Sequence, residues 1–116
     1  MPEPSEPTLD WETFQAVDIR VGTVLAVGPN PKARIPAWVL DIDLGPLGVR
    51  RSSAQITDLY TEADLIGRQV LCVVNLAPKR VAGVKSEVLV TGVPDEQGRI
   101  VLAGVESPVP NGSRLF

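Results

Sequence analysis

Apolar and polar residues alternate with a period of two over much of this 116-residue chain, the spacing of strands that bury one face. Residues 19–28, IRVGTVLAVG, set Ile19, Val21, Thr23 and Leu25 opposite Arg20, Val24 and Ala26. Gly22 interrupts that strand and predicts a bulge or a tight bend. Residues 37–45, AWVLDIDLG, place Trp38, Leu40, Ile42 and Leu44 on one face and Val39, Asp41 and Asp43 on the other. A third, more polar strand follows in VRRSSAQI at 49–56. The near-continuous apolar run RQVLCVVNL at 68–76 reads as a central strand, and SEVLVTGV at 86–93 as a fifth. After the turn PDEQGR comes a shorter strand, IVLAGV at 100–105, and PNGS turns the chain again before RLF.

Two segments break the alternation. TEADLIG at 61–67 carries Thr61 as N-cap, Asp64 three residues on and Gly67 as the stop, which predicts a short helix. Near the start, TLDWETFQAV is a second helical signal, with Thr8 or Asp10 as cap and Trp11 and Phe14 on one face. A helix this short is unstable alone, so its aromatic face must pack on the barrel or on another subunit. The acidic, proline-rich residues 1–9 read as a flexible tail, leaving 10–116 as the folded domain. Five principal strands with a helix between the third and fourth predict an all-β fold, a five-stranded OB-fold Greek-key barrel. Closure removes edges that would template aggregation. An open sheet or a sandwich is the alternative.

Composition narrows the chemistry by subtraction. The chain has no histidine, which removes the commonest general base, the commonest metal ligand and every Ser-His or Cys-His pair. Its one cysteine, Cys72, lies in an apolar strand and cannot form an internal disulfide. Asp41 and Asp43 lack a third acid at a suitable spacing, so they read as a solvated strand face. The stretch GVKS at 83–86 lacks the glycine spacing of a phosphate-binding loop. The expectation is a binding protein with no catalytic residue, no metal and no cofactor. No apolar run reaches the roughly 18 residues of a membrane span, and the acidic start is unlike a signal peptide. Both features predict a cytoplasmic protein without membrane insertion.

The net charge of −3 argues against bulk coating of nucleic acid but leaves room for a local basic patch. On an OB barrel the ligand face is bounded by the loops after strands one and four. Those loops are GPNPKARIP, with Lys32 and Arg34, and LAPKRVAGVK, with Lys79, Arg80 and Lys85. They hold five of the eleven cations, and Arg50 and Arg51 on the third strand extend the patch. The chain has five aromatic residues and no row of rings on which bases would stack, so shape and phosphate are the features it is equipped to recognise.

The stretches DIRVGTV at 18–24, LIGRQVLCVVNL at 65–76 and PKRVAGVKSEVLV at 78–90 together resemble the tRNA-binding domain family. That family includes stand-alone dimeric tRNA-binding proteins and domains appended to aminoacyl-tRNA synthetases. SSAQIT and NLAPKRVAGVKSEVLVTG are similar to a branch of it described as export-related chaperones, and the resemblance spans about residues 10–116. It implies an OB barrel whose N- and C-terminal extensions build a homodimer, with Trp11, Phe14, Leu115 and Phe116 at the interface. It also implies an ATP-independent chaperone for unfolded or export-destined precursor polypeptides, with the export machinery as a candidate partner. The alternative it implies is tRNA, or another structured RNA, on the same basic face. Ser86 matches the serine of a Ser-x-Gly-Met pattern in RNA-binding relatives, whereas Glu87, Val88 and Leu89 depart from it. Likewise Asn30-Pro31-Lys32-Ala33-Arg34 replaces their usual His-Pro-x-Ala-Asp.

Overall fold

A computed structural model describes residues 7–116. The tail expected over 1–9 therefore lies outside the described residues up to position 6, and residues 7–9 are exposed without regular structure. Helix α1, Trp11–Ala16, is capped by Asp10, whose carboxylate accepts from the Thr13 N–H at 2.8 Å.

Strand β1, Ile19–Pro29, serves two partners. Its first half, Ile19 to Thr23, pairs antiparallel with β4, Gln69–Val73, and its second half, Thr23 to Pro29, with β2, Trp38–Asp43. A bulge at Leu25, between the paired positions Val24 and Ala26, bends the strand from one partner to the other. The bulge sits three residues beyond Gly22, the position where the sequence suggests it. Gly22 instead marks a close approach: a β-carbon there would run into the Ile42 side chain and lie 2.7 Å from Leu44 Cδ2. Val24 stays opposite Ile42 of β2, but the ladder to β4 ends at Thr23 and the main-chain bonds of Val24 pass to the segment before β4. Its N–H donates to Arg68 O at 3.0 Å and its carbonyl accepts from Gly67 N at 2.8 Å. Those partners follow α2, Glu62–Leu65, which has the predicted reciprocal cap between Thr61 and Asp64 and buries Leu65.

Strand β3, Val49–Ala54, pairs with β2, so the sheet order begins β3-β2-β1-β4. The continuous fifth strand expected over 86–93 is broken. The chain forms β5, Lys79–Val81, and β6, Val84–Ser86, as a hairpin where the sequence suggests an irregular loop. It then forms β7, Leu89–Val90, against β4, and β8, Gly92–Pro94, against β9, Ile100–Leu102. A single unbroken strand would need one neighbour along its length, and here the neighbour changes within ten residues. The expected strand at 100–105 is regular only over β9.

The result is a nearly closed five-stranded antiparallel barrel, in sheet order β3-β2-β1-β4-β7. Its core is Val24, Leu40, Ile42, Leu44, Ile56, Leu65, Val70, Cys72 and Val88, with Trp38 and Tyr60 packed against it. The C-terminal segment covers the edge that β1 vacates by bending: Val21 N donates to Ser113 O at 2.9 Å and Leu115 N to Ile19 O at 2.8 Å. Asp18 ties this corner together through Arg20 at 2.7 Å and Arg114 at 3.3 Å. The Arg20 hydrogen bond, with the charges of Arg20 and Arg114, holds the Asp18 carboxyl below the usual range although partial burial opposes it.

Gly22→Ala forces Leu44 and Ile42 apart in the core and costs about 1–3 kcal/mol. Urea unfolding should show a lower midpoint with an unchanged slope. A wild-type midpoint would mean that the approach of β1 to β2 is not the constraint described.

Candidate ligand-binding site

The β5–β6 hairpin is built on a two-residue turn, Ala82-Gly83, with both residues at positive φ (47° and 84°). That is the turn that matches the natural twist of paired strands, and it holds the hairpin at a fixed angle. Cross-strand pairs then alternate between two faces, as the pleat requires. The pair Lys79–Ser86 belongs to one face and the next pair, Arg80–Lys85, to the other.

On the outer face lies a cleft of about 540 Å³ between the hairpin and the start of β3. It gathers Arg50, Arg51, Arg80 and Lys85 with two carboxylates, Asp41 and Glu87. Asp41 is the cross-strand neighbour of Arg51 and binds it through Nε at 2.9 Å and Nη2 at 3.4 Å. One of the acids expected to be merely solvated thus neutralises part of the patch. Arg80 donates to Gly83 O at 3.1 Å, which steadies its guanidinium over the turn. Four cations against two acids leave the cleft net positive in an acidic chain.

On the inner face lies a smaller trough, about 250 Å³, where the hairpin meets the end of β3 and the residues before β5. Leu76, Ala77, Val81, Val88 and Leu89 wall it, Ser52, Ser53 and Ser86 line its polar side, and Lys79 and Glu87 stand at it. The predicted site residues therefore divide: Arg50, Arg51, Arg80 and Lys85 share the cleft, while Lys79 and Ser86 belong to the trough.

The loop after β1 is drawn onto the hairpin by Asn30, a buried residue whose role the sequence reading missed. Its Nδ2 donates to Val81 O at 3.3 Å and its Oδ1 accepts from Lys32 N at 3.2 Å. The Lys32 stem consequently crosses the turn, its Cδ 3.1 Å from where a β-carbon on Gly83 would stand. Arg34 is exposed in the same loop and lines neither space.

The four residues expected at a dimer interface also lie together, where α1 meets the C-terminal segment. Trp11, Phe14, Leu115 and Phe116 line one shallow depression, with the Trp11 and Phe14 rings 5.6 Å apart. Arg114 Nη2 donates to Gln15 O at 2.7 Å and joins α1 to the C-terminal segment. Trp11 is 61% exposed and Phe116 fully so, unusual for large apolar side chains. Burial pushes the Cys72 thiol up to about 12, so it stays protonated and unreactive. Among the described residues, no group of three acids or thiols is placed to hold a metal ion.

A family model described as "Putative tRNA binding domain" matches residues 19–114. The chain is 47% identical to the chaperone CsaA of Bacillus anthracis str. Ames, whose crystal structure superposes with a TM-score of 0.89 over 95% of this chain and 100% of that one. The CsaA chaperone protein of Picrophilus torridus is 34% identical, with a TM-score of 0.87 over 94% of this chain and 100% of that one. A methionine–tRNA ligase of Flavobacterium johnsoniae is 32% identical over 113 residues, 97% of this chain. The match covers 16% of the ligase, so the chain spans about a sixth of the length of such curated relatives.

The turn that sets the two faces apart can be tested on its own. Ala82→Asn places a residue tolerant of positive φ there and raises stability by up to about 1 kcal/mol. Gly83→Ala crowds Lys32 at a positive φ and lowers stability by a similar amount. Thermal unfolding of the two variants should shift in opposite directions; shifts of the same sign would contradict the turn geometry.

Proposed function

The chain belongs to the tRNA-binding-domain family and is CsaA-like within it, and on that premise we propose that it is an ATP-independent chaperone. It holds unfolded or export-destined polypeptides, works as a homodimer in the cytoplasm and performs no catalysis. The observation that carries this reading is the apolar trough set against a positively charged cleft on one hairpin. Unfolded chains expose apolar side chains, and the trough offers an aliphatic surface for them beside main-chain and hydroxyl groups. The exposed Trp11, Leu115 and Phe116 support a second copy as partner, since each side chain fully buried between subunits contributes roughly 1.5–3 kcal/mol. A dimer presents two sites, and a long unfolded client engaging both gains avidity from weak single contacts. No helix among the described residues is long and apolar enough to cross a membrane.

The expected outcome is suppression of aggregation when a chemically unfolded protein is diluted into the chaperone without ATP, and suppression that persists at high salt. Loss of all protection once charges are screened would overturn the apolar reading.

A specific observation favours a second reading, binding of tRNA or another structured RNA. Arg50, Arg51, Arg80 and Lys85 converge on one cleft, and the family model is that of a tRNA-binding domain. About four phosphate contacts predict a log–log salt slope of roughly −3 to −4. The double variant Arg80→Glu with Lys85→Glu should abolish a gel shift with bulk tRNA. Absence of any wild-type shift at low salt would remove this reading.

A further inference from the structure

We infer that the trough is a strand-pairing site at the unfinished seam of the barrel, built for an uncharged apolar segment of extended polypeptide. The inference rests on the chaperone reading and locates where on the molecule a client is held. Four observations carry it.

The first is the seam. β3 and β7 share no ladder, and one main-chain bond joins the two sides, from Glu87 N to Arg51 O at 2.7 Å. Side chains substitute for the rest: Glu87 Oε1 accepts from Arg51 N at 3.2 Å, and Ser86 Oγ from Ser53 N at 3.2 Å. A strand edge held by side chains is open to exchange with an incoming main chain.

The second is an orphan. The Ser53 hydroxyl is buried and has no hydrogen-bond partner among the described residues, although Ser53 lines the trough. Buried hydroxyls are normally paired, and leaving one unmet is unfavourable. The hydroxyl has no exposed surface, so a peptide N–H arriving along β3 meets it only as Ser86 and Glu87 give way at the seam.

The third is the lining. Leu76, Val81, Val88 and Leu89 are aliphatic and no aromatic ring faces the space, so a nucleobase finds nothing to stack on. At about 250 Å³ the trough is smaller than the roughly 300–1,000 Å³ of small-molecule sites and suits a side chain instead. Its charges, Lys79 and Glu87, cancel, which favours a neutral segment.

The fourth is separation. Alternation along the hairpin turns Arg80 and Lys85 away from the trough, so polyanion and polypeptide do not compete for the same side chains. The expectation of one shared basic face gives way to two faces of one hairpin.

The test uses fluorescence anisotropy of the full chain with a short labelled peptide, a central leucine flanked by serine and threonine. Binding should be unchanged between low and high salt. Ser53→Ala should weaken it about five- to tenfold, the range of one lost hydrogen bond. The same variant should unfold at the wild-type temperature or above, because it removes an unpaired buried hydroxyl. A peptide N-methylated at the leucine should bind the wild-type chain equally poorly, and Arg80→Glu with Lys85→Glu should bind the original peptide normally. If Ser53→Ala and N-methylation are both neutral, or if charge reversal abolishes binding, the seam is not the site. Failure of the peptide while an unfolded protein still binds sinks this inference alone. Failure of both sinks the chaperone reading with it.

Discussion

The bend in β1 is the constraint on which the rest of the barrel depends. One strand must pair with β4 at one end and β2 at the other, and the interior between them leaves no room for a side chain at Gly22. Bending opens two liabilities. The ladder to β4 stops at Thr23, so the Val24 main chain needs other partners on that side, and the outer edge of the first half of β1 loses a neighbour. The segment after α2 answers the first through Gly67 and Arg68, and the C-terminal segment answers the second through Ser113 and Leu115. Both apparent appendages, the small helix and the C-terminus, are thus consequences of the strand they cover. The exposed aromatic surface is a further consequence, because the C-terminal residues that protect β1 also carry Leu115 and Phe116 to the helix bearing Trp11.

Closure of the barrel is where structure and function trade against each other. A full ladder between β3 and the last strand would satisfy every main-chain group and leave nothing to bind with. Breaking that strand at Glu87 and Val88 lets Val88 enter the core while Ser86 and Glu87 turn their side chains to β3. The hairpin before the break lies along β3 through β6, and its two faces acquire different chemistry. Asn75 links this region to the end of α1: its Oδ1 accepts from Asp18 N and its Nδ2 donates to Ala16 O. The residues leading into the hairpin and the end of α1 are therefore held by the same side chain.

Much of this was legible in the sequence, and the reasons are local. Alternation in AWVLDIDLG assigns Leu40, Ile42 and Leu44 to the core because a strand has a period of two, whatever its neighbours. The cap at Thr61 and Asp64 is a contact within one turn, so it too is written in consecutive residues. What sequence could not supply were decisions made between distant segments. The break at Glu87 depends on Arg51, thirty-six positions away, and the role of Asn30 depends on Val81. The split of the cations into two faces was nearer to hand. Ala82-Gly83 is a hairpin turn, and counting outward from it puts Arg80 and Lys85 on one side and Lys79 and Ser86 on the other. Reading the stretch as an irregular loop hid that count.

Charge sets the cleft and the trough apart on one small domain. The chain as a whole is acidic, so beyond about a Debye length, roughly 8 Å at physiological salt, it does not attract polyanions. Within the cleft the balance reverses, but Asp41 already holds Arg51 and limits the reversal. Any polyanion must therefore match the remaining cations at close range and by shape. The trough feels little of this, because Lys79 and Glu87 offset one another and its walls are aliphatic. An apolar segment docked there as proposed would be held by burial and main-chain bonding, which salt does not screen, whereas a polyanion in the cleft would be held less tightly as salt rises. Ionic strength is thus the variable that separates the two faces of the hairpin, since it acts on one and passes over the other.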